Sequence, residues 1–67
     1  MSVGHNIREA RMHVPMSQRE LADKLGVTQG VVSQWEIGNK FPRTRMLPKI
    51  AKELGCSIEE LLRERGA

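Results

Sequence analysis

Apolar residues recur every three or four positions in several short stretches of the chain, which is the spacing of one face of an α-helix. Glycine, proline and small hydroxyl residues separate these stretches, and such residues commonly end or begin helices. The pattern predicts an all-α fold of five short helices packed compactly together. The first helix is expected from about Asn6 to about His13, the fourth begins between Thr44 and Pro48, and the fifth runs from Ile58 to about Arg63. Residues 1–5 show no periodicity and are expected to form a flexible arm.

The second and third helices have the clearest boundary signals, and they lie within residues 17–38. Ser17 is a good N-cap residue, and Glu20, three positions later, completes a capping box. Gly26 supplies the positive φ that helix C-termini favour, and Thr28 is a second N-cap residue only two positions further on. Two helices joined by so short a link must turn sharply.

The third helix is predicted to have two unlike faces, because successive residues turn by about 100° around its axis. Val32 and Trp35 share the face that suits the core. Small, uncharged, hydrogen-bonding residues occupy the outward face and the free amino end, and they are Gln29, Gly30, Ser33 and Gln34. Such a face suits base edges in a DNA major groove, where glutamine pairs with adenine in bidentate fashion and serine pairs with several bases.

Charge is unevenly distributed along the chain, although the formal net charge is only +3. Residues 37–52 contain five cations and no acid. The cations are Lys40, Arg43, Arg45, Lys49 and Lys52. A basic run directly after the third helix favours a phosphate-bearing partner; the alternative is that these residues simply form a solvated face.

Three runs of residues carry a family resemblance. They are Gln18-x-x-Leu21-Ala22-x-x-Leu25-Gly26-Val27-Thr28, then Val32-Ser33-x-Trp35-Glu36-x-Gly38, and finally Pro42 with Ile50-Ala51-x-x-Leu54-Gly55. The combination resembles the helix-turn-helix of the phage Cro/repressor-type, lambda-repressor-like DNA-binding family, also called XRE-type. The resemblance implies a single lambda-repressor-like domain over residues 1–67, with double-stranded DNA as its partner and the third helix in the major groove.

The resemblance also implies roles for individual residues. Base contacts are expected from Gln29, Gly30, Ser33 and Gln34, with Gln29 as the first choice for a specific contact to adenine. Backbone contacts are expected from Gln18, Arg19, Thr28, Lys40, Arg43 and Arg45. Gly30 is a departure from the family pattern, because many relatives carry a base-reading side chain there. Either specificity is reduced at this position, or the backbone comes unusually close to the DNA.

Two charged residues fall on helix faces that should be buried, Arg11 in the first helix and Glu36 in the third. We expect them to pair across the core, because a guanidinium is tolerated inside a protein when a carboxylate satisfies it. The resemblance supports this pair, since an equivalent Arg and Glu recur at matching positions in the family. The alternative is that Arg11 reaches solvent and Glu36 caps another group.

One reading helix covers only a few base pairs, so useful affinity is expected to need a dimer on a two-fold operator with half-sites about 34 Å apart. Apolar residues near the C-terminus, Ile58 and Leu62 together with Cys56, are the dimer candidates that the resemblance favours. Phe41 and Pro42, in the loop before the fourth helix, are the alternative.

Other chemistry is not predicted. A single cysteine excludes a disulfide within the chain and fits a reducing cytoplasm. No apolar run approaches the length of a membrane span, and the first ten residues lack the apolar segment of a secretory signal, so a soluble cytoplasmic protein is expected. The candidate reactive residues show no spacing that a nucleophilic or metal site requires, and they are His5, His13, Ser17, Asp23 and Cys56. The sequence predicts no enzyme, cofactor or metal.

The leading interpretation is a sequence-specific transcriptional regulator that represses by occupying a promoter as a dimer. A second interpretation keeps the DNA contact but makes the protein an antitoxin or accessory regulator that acts through a protein partner. A third is a protein-interaction module that has kept the fold and lost DNA binding. The basic run argues against the third interpretation, whereas Gly30 and the apolar fifth helix are compatible with it.

Overall fold

The computed structural model describes residues 2–64, and this part of the chain is helical, as the sequence predicted. The helices are α1 (Ser2–His13), α2 (Gln18–Leu25), α3 (Gln29–Ile37), α4 (Leu47–Leu54) and α5 (Ile58–Leu62). A 3₁₀ turn over Thr44–Met46 leads directly into α4, and Pro48 lies in the first turn of α4, where proline is tolerated. No helix within residues 2–64 is long and apolar enough to cross a membrane.

The core is shared by all five helices. Each helix contributes one large side chain that is less than 2% exposed, and these are Ile7, Leu21, Val32, Ile50 and Leu61. Burying an aliphatic side chain of this size contributes roughly 1.5–3 kcal/mol. Trp35 is buried beside them, as its position in the apolar stripe predicted. The core therefore fixes one face of every helix and leaves the opposite faces for other roles.

Local signals set the helix boundaries. The Ser17 hydroxyl accepts the Glu20 backbone N–H at 3.0 Å, and the Glu20 carboxylate accepts the Ser17 N–H at 2.8 Å. Ser57 and Glu60 form the same reciprocal pair at the start of α5. Two backbone N–H groups at each of these helix starts are thereby satisfied, which is why the predicted starts of α2 and α5 agree with the structure.

The expected N-terminal arm is wrong, because the chain is helical from Ser2 onwards, with Met1 outside the described residues. Val3 lies one turn before Ile7 and is buried with it in the core. Gly4 is buried against α3, where a Cβ atom would collide with the carbonyl oxygen of Trp35. Only a glycine lets the two helix backbones approach so closely.

Asn6 is likewise not the N-cap that the sequence suggested. It lies within α1 and is buried, and its side-chain amide donates to the carbonyl oxygens of Leu61 at 2.9 Å and Arg63 at 2.7 Å. These carbonyls lie at the end of α5, whose last residue is Leu62 and whose C-cap is Arg63, and carbonyls at a helix end need partners outside the helix. Asn6 therefore satisfies the C-terminal end of α5 from a helix more than fifty residues away in sequence.

Candidate nucleic-acid interface

The helices α2 and α3 are joined by only three residues, Gly26, Val27 and Thr28. Gly26 adopts the left-handed conformation, with φ of 73°, which a side chain would strain. The Val27 N–H donates to the Ala22 carbonyl at 3.0 Å, and the Thr28 hydroxyl accepts the N–H of Val31 at 3.2 Å. One end of the link is thus bonded to α2 and the other to α3, which ties the two helices together through a short connection.

The two faces of α3 differ as the sequence predicted. Val32 is fully buried and Trp35 is 5% exposed. Gln29 and Gly30 at the start of the helix are exposed, whereas Ser33 and Gln34 are half-buried. An added Cβ atom at Gly30 would meet only the Thr28 hydroxyl, at an ordinary 3.8 Å. Packing of the chain therefore does not require glycine at this position.

A buried ion pair lies behind this polar face, and it is the pair expected between Arg11 and Glu36. Arg11 Nε donates to Glu36 Oε2 at 2.7 Å, and Nη2 donates to Oε1 at 3.1 Å. A third nitrogen, Nη1, donates to the carbonyl oxygen of Met16 at 2.7 Å. The side chains of Arg11 and Glu36 are only 13% and 4% exposed. The pair links α1 and the segment before α2 to the hidden side of α3.

Glu36 has a second partner, which was not expected from the sequence. Gln18, the first residue of α2, donates from its side-chain Nε2 to Glu36 Oε1 at 3.1 Å. Residues 18 and 36 lie in different helices, so helical periodicity within either one gives no signal for the contact. A residue predicted to touch the DNA backbone is therefore held by the carboxylate that also fixes α3.

Apart from Gln18, the residues predicted to contact the DNA backbone are at the surface. Arg19 and Thr28 are exposed, and so are Lys40, Arg43 and Arg45. The Lys40 backbone N–H donates to the Gln34 carbonyl at 3.2 Å, which ties the start of the basic loop to α3. Within residues 2–64, none of these cations forms an ion pair with a carboxylate. Their charge is therefore available to an external anion.

The dimer candidates differ in exposure. Ile58 is 37% exposed and Leu62 is 42% exposed. Cys56 is half-buried and packs against the core of its own chain. Burial raises the pKa of the Cys56 thiol above its ordinary value, and the nearby Glu60 carboxylate acts in the same direction. In the alternative surface, Phe41 is exposed and Pro42 is buried.

Comparison with known proteins identifies similar chains. The helix-turn-helix family model matches residues 7–61. The chain is 33% identical to multiprotein-bridging factor 1 of Candida albicans over 87% of its own length, and 37% identical to the transcriptional regulator DicA of Escherichia coli over 85%. These alignments span only 38% and 42% of the two relatives.

A solved structure with a similar fold is that of the P22 c2 repressor protein in complex with synthetic operator 9T. Its TM-score is 0.83 at 31% sequence identity, and the alignment covers 91% of this chain and 92% of that one.

Proposed function

The chain belongs to the helix-turn-helix family, and on this premise we propose that it is a sequence-specific regulator of transcription that binds double-stranded DNA. The observation that carries the proposal is the polar outward surface of α3, which is exposed at Gln29 and Gly30 and half-buried at Ser33 and Gln34. This helix is fixed to α2 by a three-residue link and backed by a buried ion pair. A rigid helix with uncharged donors and acceptors on its free side is what base recognition in a major groove requires.

In the proposed complex, α3 lies in the major groove with its amino end towards the bases. Gln29 has an exposed amide that can pair with adenine through one donor and one acceptor. Ser33 and Gln34 follow on the same side, and Gly30 lets the helix backbone come close to the base edges. These contacts determine the sequence that is bound.

The backbone contacts determine where the protein sits on the duplex. Gln18 and Arg19 lie at the amino end of α2, where the helix dipole favours a phosphate. The exposed cations of the loop, Lys40, Arg43 and Arg45, extend the contact along the backbone. Because each is free of intramolecular ion pairs within residues 2–64, phosphate binding breaks no such pair.

We also propose that the protein acts as a repressor, by occupying a promoter as a homodimer on a two-fold site. The exposed apolar side chains of Ile58 and Leu62 on α5 support a contact between copies near the C-terminal end. The proposal includes a cytoplasmic location, and occupying a promoter requires no catalytic group or cofactor.

The experiment is selection of bound duplexes from a randomised pool, followed by affinity measurements on the winner and on a scrambled duplex across a salt series. The proposal predicts a two-fold winner that is bound far more tightly than scrambled DNA. Gln29→Ala should weaken binding to the winner and leave binding to the scrambled duplex unchanged. Equal affinity for both duplexes with a steep salt dependence would contradict base recognition, because it reflects phosphate attraction alone.

A second function is an accessory regulator that acts through a protein partner. The exposed apolar side chains of α5 favour it as well, and a relative of the chain is named as a multiprotein-bridging factor. Light scattering separates the two proposals, since a repressor that works by itself should be a dimer, whereas an accessory regulator should be a monomer until its partner is added.

A further inference from the structure

The hydrogen bond between Gln18 and Glu36 fixes which end of the Gln18 amide faces the protein. Glu36 Oε1 lies 3.1 Å from Gln18 Nε2, and the Glu36 side chain is only 4% exposed. A carboxylate only accepts hydrogen bonds, so it holds the amide nitrogen and excludes the flipped amide, whose oxygen would face it.

This orientation matters for an anion outside the protein. An amide nitrogen carries two hydrogens, and the one that Glu36 does not accept remains able to donate. Phosphate oxygens only accept, so an amide that could flip would present its own oxygen to a phosphate part of the time. Gln18 also stands at the first residue of α2, beside the free backbone N–H groups of that helix start.

The Gln18 bond is not needed to satisfy Glu36. The carboxylate already accepts Nε and Nη2 of Arg11, at 2.7 and 3.1 Å. Removing the Gln18 amide would therefore leave Glu36 paired, whereas removing Glu36 would leave the Gln18 amide without its fixed orientation. The main effect of this bond is therefore to orient the Gln18 amide.

We propose that Glu36 is a positioning residue for DNA: it orients the Gln18 amide to donate to a backbone phosphate while its other contacts hold α3. The inference rests on the proposed DNA-binding function and adds a role for a side chain that the base-reading face does not use. One buried carboxylate thereby couples the phosphate contact of α2 to the orientation of the reading helix.

The test uses the duplex selected by the wild-type chain, with one phosphate at a time replaced by an uncharged methylphosphonate. In the wild type, replacing one particular phosphate in each half-site should reduce the affinity for the duplex about tenfold, the size expected for a charge-assisted hydrogen bond. Gln18→Ala should abolish that loss and so identify the phosphate. Glu36→Asp shortens the side chain by one methylene while keeping its charge for Arg11, and it should abolish most of the loss at the same phosphate.

If Glu36 had only a structural role, Glu36→Asp would reduce the affinity loss caused by methylphosphonate replacement at every contacted phosphate alike. The matched control is Arg43→Met, which should remove the loss at a different phosphate and leave the Gln18 phosphate unaffected. If Glu36→Asp does not fold, Arg11→Met combined with Glu36→Leu replaces the buried charges by apolar groups of similar size. The positioning role alone would be overturned if the folded Glu36 variant kept the full tenfold affinity loss at the Gln18 phosphate. It would also be overturned if the affinity losses fell equally at all phosphates. Failure of the wild type to select any duplex would instead overturn the proposed function.

Discussion

Arg11→Met is the most severe test of the buried hydrogen bonds that join Arg11, Glu36 and Gln18. It leaves the Glu36 charge inside the protein with only the Gln18 amide as a hydrogen-bond partner. Glu36 is 4% exposed and loses both guanidinium hydrogen bonds in this variant. Breaking a buried pair by removing one partner costs about 3–5 kcal/mol. A 67-residue chain is expected to have a total stability of roughly 3–10 kcal/mol, so the variant should be near or past its unfolding limit.

The assay is urea or thermal unfolding at pH 7, followed by circular dichroism. Each kcal/mol should lower the Tm by about 4–8 °C in a domain of this size. Arg8→Met is the matched control, since Arg8 is an exposed arginine of the same helix and its replacement should change stability by less than about 0.5 kcal/mol. Arg11→Met with Glu36→Leu should recover most of the lost stability, because it leaves no unpaired charge. A loss below about 1 kcal/mol for Arg11→Met alone would refute the reasoning that the pair is buried and coupled.

Three further predictions follow from contacts in the fold. Gly4→Ala should destabilise the chain by about 1–3 kcal/mol in urea unfolding, because the new methyl group meets the Trp35 carbonyl. Gly30→Ala should be neutral or stabilising by up to about 1 kcal/mol, because a methyl group there has room and alanine favours the helix. Equal effects of the two substitutions would contradict this prediction. Asn6→Ala should cost about 1–3 kcal/mol in the same assay by leaving two carbonyl oxygens at the end of α5 without their amide donor, and a neutral result would contradict the contact. The pKa of Glu20 lies below its ordinary value of 4.5, because the backbone N–H and the hydroxyl of Ser17 donate to the carboxylate. The ionised Glu20 therefore stabilises the fold at pH values above 4.5, and this stabilisation is lost as the pH falls through the lowered pKa. Wild type should thus exceed Glu20→Gln in stability at pH 7, and the difference should vanish in strong acid; a difference independent of pH would contradict the assignment.

The local signals in the sequence predicted most of the fold. Capping residues such as Ser17 and stop residues such as Gly26 act on their own helix, so no knowledge of tertiary structure was needed to recognise them. The ion pair of Arg11 and Glu36 was predictable for a different reason. Each residue is charged on a face that apolar neighbours mark as buried, and such a charge requires a partner.

The features that the sequence did not reveal depend on packing between distant segments. The start of α1 was missed because its first turn lacks a strong local signal and is held instead by Val3 and Gly4 against the rest of the protein. Asn6 resembles an N-cap in isolation, and only the nearby end of α5 explains its burial. The bond of Gln18 to Glu36 likewise depends on the angle between two helices, which no pattern within either helix specifies.

The central claim is that the outward face of α3 recognises a DNA sequence. The most direct measurement is the affinity of the wild type and of Gln29→Ala for the selected and scrambled duplexes at about 0.15 M salt. The wild type should prefer the selected duplex by on the order of a thousandfold or more. Gln29→Ala should reduce affinity for that duplex by about 5- to 150-fold, as expected for loss of a bidentate base contact, with no change on scrambled DNA. Equal affinity of the wild type for both duplexes, or an unchanged preference in the variant, would contradict the claim that this face and its first glutamine recognise bases.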